Sequence, residues 1–290
     1  MDSDSLGRKV LVREWSVPDP CVGTVLVLHG LGDHSGWHDW AAQLLGAAGF
    51  RAVAFDWPGN GGSDGIRGDV PPVAEAGAFL AELMEREWIA PAGIFAHSTG
   101  AFLLLSWLGG TASECVWMRS LKWVWLSSPL LRPSHGQPRL KIAVARRLAA
   151  IFPRMTLDTG VAARDCFHTC ADPKFDEWRR RDGGHHRIAL RFAADLIAKE
   201  QALDGVAARI SPKVDFLLTQ GIEDPVCPPG YAEALFGRLP AERKALVMMA
   251  GARHEPHGEP FAENVVNAVR PWLVWQGVRT KEMQGMDGSD

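Results

Sequence analysis

Four short stretches carry residues that could do chemistry together. In Ile94–Phe102, IFAHSTGAF, Ser98 stands between small residues at Ala96 and Gly100. A strand that runs straight into a helix through such a pentapeptide forces its serine into a tight, strained turn, and small residues two before and two after relieve the crowding. Serine is also a common helix N-cap, so nucleophile and plain cap both stand as readings of Ser98. In Leu28–Gly32, LHGLG, a glycine-flanked turn can aim a backbone N–H at an oxyanion, and the N–H groups of Leu31 and Thr99 are assigned as those donors. Asp224 lies in TQGIEDPVCPP and His254 in MAGARHEPHGEP, each just past an apolar run. A serine needs a general base within reach, and the base needs a carboxylate to orient it; the chain order Ser98, Asp224, His254 is one of the known arrangements.

Each assignment has a competitor. Glu223 adjoins Asp224, which could also cap the helix that follows, and His257 competes with His254, although His254 lies nearer the strand end. Gly30-Leu31-Gly32 opens a dinucleotide-type GxGxxG, but position 35 holds Ser35 where the third glycine belongs. HEPH spaces its histidines three apart across Pro256, which does not match a zinc HExxH helix. Cys166, His168 and Cys170 lack a second cluster at ligand spacing, so no metal site is assigned.

These stretches must be positioned by regular elements. Thr24–Leu28, Arg51–Phe55, Ala92–Ala96 and Lys122–Leu126 are short apolar runs ending in turn signals, the mark of strands buried on both faces. Helical spacing at Trp37–Ala48 and Val73–Glu87 alternates with them, which predicts an α/β fold with a mostly parallel sheet flanked by helices. Lys9–Trp15 reads as an antiparallel edge. From about Leu130 to Ile210 the chain turns rich in Arg, Ala and His, with helical patterns at Leu140–Ile151 and Ile188–Leu203 and no convincing strand. Val214–Thr219 and Ala245–Met249 restore the strand pattern, Phe261–Trp275 reads as a closing helix, and the last ten residues as a frayed tail. The expected organisation is a core made of residues 1–129 and 211–290, interrupted by a helical insertion at 130–210.

Composition narrows the class of function. The chain has 290 residues, 47% hydrophobic and 22% charged, as in a globular protein. A net charge of −3 gives no basic face for nucleic acid, and the Arg179–Arg181 cluster reads as a solvated helix face. No apolar run approaches the roughly 20 residues of a membrane span, and MDSDSLGRKVLVREW lacks the features of a secretion signal. Five scattered cysteines suit a reducing compartment, so the cytoplasm is expected. Twelve tryptophans against one tyrosine suggest core packing or an apolar ligand cleft.

From His29 to Val70 the chain reads HGLGDHSGWHDWAAQLLGAAGFRAVAFDWPGNGGSDGIRGDV, with LSSPLL at Leu126 and ARDCFHTCADP at Ala163 further on. Together these resemble the α/β-hydrolase fold, within the group of monoacylglycerol lipases, lysophospholipases and serine aminopeptidases, over about Val25 to Trp275. The chain departs from the group at Asn60, where His is usual, and at Ala96, where Gly is usual. The resemblance implies a serine hydrolase of carboxylic esters, acting through Ser98, His254 and Asp224 and an acyl-enzyme, on a small-molecule or lipid ester with an apolar acyl group. It implies no metal or organic cofactor. In this group the insertion is a cap over the cleft, often apolar enough to touch a membrane or hold an acyl chain, an expectation that the many arginines here dilute. The same triad could act on an amide, a carbon–carbon bond or a peroxyacid, and a binding protein could keep the fold without turnover. Oligomeric state is not read from the sequence.

Overall fold

The computed structural model describes residues 1–167, 182–258 and 260–287. In chain order the strands are β1 (Asp2–Ser3), β2 (Arg8–Lys9), β3 (Val12–Trp15), β4 (Gly23–Leu28), β5 (Phe50–Phe55), β6 (Pro91–His97), β7 (Trp123–Ser127), β8 (Thr156–Asp158), β9 (Arg187–Ala189), β10 (Asp215–Gly221) and β11 (Lys244–Met249). The helices are α1 (Asp39–Ala47), α2 (Val73–Arg86), α3 (Thr99–Leu108), α4 (Arg139–Ile151), α5 (Ala163–Cys166), α6 (Leu190–Lys199), α7 (Pro229–Arg238) and α8 (Ala262–Asp287). A seven-stranded sheet in the order β11-β10-β7-β6-β4-β5-β3 forms the centre, parallel throughout except for β3, which pairs antiparallel with β5 at the edge.

The apolar runs are continuous because both faces of the sheet are covered, and successive side chains divide between two cores. Leu26, Leu28, Ile94, Ala96, Val124, Leu126, Phe216 and Leu218 face the side packed by α2, α3 and α6. Val25, Val27, Phe95, Trp123, Trp125 and Leu217 face the side packed by α1 and the first half of α8. Trp57, Trp123 and Trp125 are fully buried, so part of the tryptophan excess goes into packing.

Strand order reverses between β4 and β6. From β4 the chain moves outward to β5, and from β6 it moves the other way to β7, β10 and β11. Loops leaving the carboxyl ends of β4 and β6 therefore part and leave a crevice between them. Ser98 directly follows β6, and the LHGLG turn ends β4.

Four readings of the elements need correction. Lys9–Trp15 is not one strand: Arg8–Lys9 pairs with Asp2–Ser3, and only Val12–Trp15 joins the sheet, because the chain turns where Val10 is buried. The stretch between β7 and β10 does hold strands, the antiparallel pair β8 and β9. Three-residue strands leave no readable alternation, and their partners lie some thirty residues apart. For the same reason the predicted helix at Ile188 begins only at Leu190. The closing helix runs past the predicted end at Trp275 and on to Asp287, through most of the predicted tail; just beyond Trp275 it is held by buried Asp215 at the start of β10, which accepts from Gln276 Nε2 at 3.0 Å and from Arg279. Arg179–Arg181, His168 and Cys170 lie outside the described residues.

Residues between β7 and β10 are tied to the sheet through Asp69. Its fully buried carboxylate accepts from Arg154 Nε at 2.8 Å and from Arg191 Nε at 2.5 Å. Neighbouring Gly68 O accepts from Ala189 N at 2.9 Å, and Asp195 accepts from Val73 N at 2.7 Å. Removing the carboxylate leaves two guanidinium groups without their acceptor, partly relieved by solvent. Asp69→Ala is expected to lower stability by about 1–3 kcal/mol and to speed limited proteolysis between residues 130 and 210, read by urea denaturation and mass mapping of the fragments.

Candidate active site

Ser98 occupies the turn from β6 into α3 with φ 49° and ψ −118°, a backbone conformation that L-residues rarely adopt. The strain is held from three sides: Ser98 N donates to Ser127 O at 3.0 Å, and Ser98 O accepts from Leu130 N at 3.1 Å and Phe102 N at 3.3 Å. Gly100 lets α3 press on the end of β4, since a Cβ there would stand 2.6 Å from His29 O. Position 98 is the N-cap of α3, yet its side chain makes no capping hydrogen bond. Its hydroxyl instead lies 2.9 Å from His254 Nε2.

His254 Nδ1 faces Asp224 Oδ2 at 2.9 Å, so the three predicted side chains form one hydrogen-bonded chain. The other oxygen of Asp224 accepts from Val226 N and Cys227 N, each at 2.8 Å, and Oδ2 also accepts from Gln220 Nε2 at 3.0 Å. Asp224 thus closes its own turn and orients the imidazole, while Glu223 points to solvent. His257 is not at the hydroxyl: its ring stacks on Trp40 with centroids 4.4 Å apart. Burial holds its pKa down at about 4. Burial also opposes charge on His254, but the Asp224 carboxylate, with Cys227 beside it, more than offsets this and raises the imidazole well above its ordinary value.

Leu31 and Thr99, the expected oxyanion donors, line the same cavity as Ser98. A Cβ on Gly30 would lie 3.1 Å from Ser98 Cβ, so the turn after β4 leans directly on the serine. Thr99 N opens α3, where N–H groups lack intrahelical acceptors. The Leu31 turn is fixed by its neighbours: Gly32 N donates to Asn60 Oδ1 at 3.0 Å, and Gly32 O accepts from His185 N at 2.9 Å. Asn60, buried, donates in turn to Trp57 O and Pro58 O, so the departure at position 60 supplies a staple for this turn. His29 Nε2 accepts from Trp57 N at 2.8 Å, a structural role.

Three further residues belong here that sequence spacing did not single out. The buried Cys227 thiol contacts both His254 and Ser98, and burial pushes its pKa up, which keeps it protonated. His97 and Glu255, next to the serine and the histidine, form a buried pair at 3.2 Å. Their only sequence signal is adjacency, because the partners stand 158 residues apart. Donor atoms of Asp224, Cys227 and His254 lie within 4.8 Å of one another, as do those of His97, His254 and Glu255. Both ring nitrogens of His254 are already engaged with Ser98 and Asp224, so these are hydrogen-bonded clusters and give no metal a free imidazole lone pair.

Ser98, Thr99, Leu31 and His254 line a cavity of about 490 Å³ whose far walls come from the segment between β7 and β10, among them Ile142, Leu157, Ile188, Leu196 and Ile197. Arg132, His135 and Lys141 add polar groups. Among the described residues no helix is long and apolar enough to cross a membrane.

Known proteins share this architecture. A monoacylglycerol lipase structure from Paleococcus ferrophilus superposes with a TM-score of 0.78 at 28% identity, covering 92% of this chain and 99% of that one. The monoglyceride lipase of Rattus norvegicus is 23% identical over 92% of this chain and 87% of its own length. An abhydrolase domain-containing protein of Dictyostelium discoideum is also 23% identical over 90% of this chain, which spans only 27% of that protein. The family model described as serine aminopeptidase, S33, matches residues 19–261, and with its parallel sheet and strand-end site the chain belongs to that family of α/β-hydrolases.

Proposed function

We propose that this protein hydrolyses carboxylic esters of apolar acyl groups, of the monoacylglycerol or lysophospholipid type, through an acyl-enzyme on Ser98. The observation that carries the reading is the pair of 2.9 Å contacts linking Ser98 Oγ, His254 and Asp224 at the wall of an apolar cavity. Lipases among its relatives support the same substrate class.

His254 Nε2 takes the hydroxyl proton as Ser98 Oγ attacks the acyl carbon. Asp224 holds the tautomer with Nε2 free and stabilises the imidazolium that forms. Charge developing on the carbonyl oxygen is met by the N–H groups of Leu31 and Thr99, which are preorganised and so need little rearrangement at the moment of reaction. The imidazolium then protonates the departing alcohol, and water activated by the same histidine releases the acid.

The segment 130–210 is proposed as a cap, since its side chains wall the cavity. Helix α4 exposes Leu140, Val144 and Ile151 beside Arg139, Lys141, Arg146 and Arg147, a composition that suits peripheral contact with an anionic lipid interface. Cys21, Cys115 and Cys227 carry free thiols, which supports a reducing compartment such as the cytoplasm.

Ser98→Ala is expected to lower p-nitrophenyl ester turnover by about 10⁴-fold or more and to abolish labelling by a fluorophosphonate probe; retention of either removes Ser98 from the role. Because His254 must be neutral to accept the proton and its folded pKa is raised, activity is lost as pH falls through that value. The acid limb of kcat/KM is therefore expected above about 6.5, the ordinary histidine value, in a profile from acid to alkaline pH. Asn60→Ala withdraws the acceptor that fixes Gly32, and kcat is expected to fall by roughly 10–100-fold with KM little changed, measured on the same ester.

A further inference from the structure

Beside the triad lies a second histidine–carboxylate pair that the mechanism above does not use. His97 immediately precedes the nucleophile and Glu255 immediately follows the base. Glu255 Oε1 accepts from His97 Nε2 at 3.2 Å, while His97 Nδ1 lies 3.4 Å from Ser127 Oγ. Glu255 N donates to Cys166 O at 2.9 Å, and its second oxygen faces His257 Nδ1 at 3.5 Å. The rings of His97 and His254 stand 5.1 Å apart, and both Glu255 and His97 are almost fully buried.

We propose that Glu255 is a positioning residue with two parts to its role: through His97 it ties the histidine loop to the serine turn, and its charge gives the His254 imidazole a second buried carboxylate besides Asp224.

The mechanical part follows from the chain. His254 sits on the loop after β11 at one edge of the sheet, and Ser98 follows β6, three strands away. Apart from the triad contact itself, the His97–Glu255 pair is the described side-chain hydrogen bond joining those two turns. It acts one residue from each end of the distance that catalysis needs, and small errors in that distance are costly.

The electrostatic part depends on the charges around the pair. Burial opposes ionisation of Glu255, but His97, with His257 and His254 beyond it, holds the carboxyl well below the usual range, so it is anionic wherever the enzyme works. His257 is neutral at neutral pH. On the turn after β4, Asp33 and His38 face each other at 2.7 Å, Asp33 lowered and His38 raised. Asp224 and the protonated Cys227 thiol face His254 from the loop after β10. Glu255 is a second buried carboxylate at the imidazole, one of its oxygens within 4.8 Å of a His254 ring nitrogen, and a buried charge at this range is poorly screened.

The role rests on Ser98 and His254 being nucleophile and base, and two substitutions separate its parts. Glu255→Gln keeps an acceptor for His97 but removes the charge. Its acid limb of kcat/KM is expected to move down by about half a unit or more, with the plateau kcat within about threefold of wild type. Glu255→Asp keeps the charge but shortens the reach: its limb is expected to stay in place while kcat falls by roughly tenfold with KM within about twofold. An unmoved limb in Glu255→Gln overturns the electrostatic part, and a wild-type kcat in Glu255→Asp overturns the mechanical one. If circular dichroism shows that either variant does not fold, the neutral pair His97→Asn/Glu255→Gln must show both effects, and failure to do so overturns both. Fluorophosphonate labelling of wild type and Ser98→Ala is run alongside. Labelling that persists without Ser98 defeats the underlying reading, whereas labelling lost with the limb unmoved in Glu255→Gln defeats the electrostatic part of the Glu255 role alone.

Discussion

A serine hydroxyl is a weak nucleophile in water, and here it lies 2.9 Å from an imidazole that a buried carboxylate orients. That contact demands that three chain segments, separated by 126 and 30 residues in sequence, arrive together within tenths of an ångström. A parallel sheet meets the demand because every strand points its carboxyl end the same way, so β6, β10 and β11 deliver their following loops to one edge of the sheet. The cores above and below the sheet fix the strands, and backbone hydrogen bonds to Ser127 O and from Leu130 N and Phe102 N fix the strained serine turn.

Around this contact the protein has gathered more buried charge than a triad requires. Asp33, Asp224 and Glu255 are each almost fully buried, and each faces a histidine. Such pairs are costly to desolvate and contribute little net stability, though breaking one from a single side is expensive. Their placement, one pair on the turn after β4, one inside the triad and one bridging the triad's neighbours, points to orientation as their use. The same logic extends outward. Asn60 staples the Leu31 turn through Gly32, and His185, between β7 and β10, holds the same glycine through its carbonyl. The wall of the cavity and the turn beside the hydroxyl are therefore one connected structure, anchored further out by Asp69 with Arg154 and Arg191.

Much of this was legible along the chain. The central strands announced themselves as unbroken apolar runs, because a strand covered on both faces needs no polar alternation. Ser98, Asp224 and His254 were legible because each stands at the end of such a run, where an open sheet places its chemistry. The competitors needed coordinates: Glu223 and Asp224 are neighbours with the same functional group, and only the path of the loop turns one to solvent and buries the other. His257 likewise carries the right ring in the wrong place, stacked on Trp40. The short strands β8 and β9 were not legible, since a three-residue ladder owes its existence to its partner, and the hold of Asp215 on α8 at Gln276 and Arg279 comes from far away in sequence.

What the sequence determined alone was local and periodic: strand and helix succession, the glycine and small-residue allowances at Gly30, Ala96 and Gly100, and the order in which the reactive side chains appear. Tertiary structure decided the pairings. His97 with Glu255, Asn60 with Gly32 and Asp69 with Arg154 and Arg191 leave no periodic trace, because a hydrogen bond between distant residues imposes no spacing on either. It requires only that the fold bring two polar groups to the same buried point, where neither can be left without a partner.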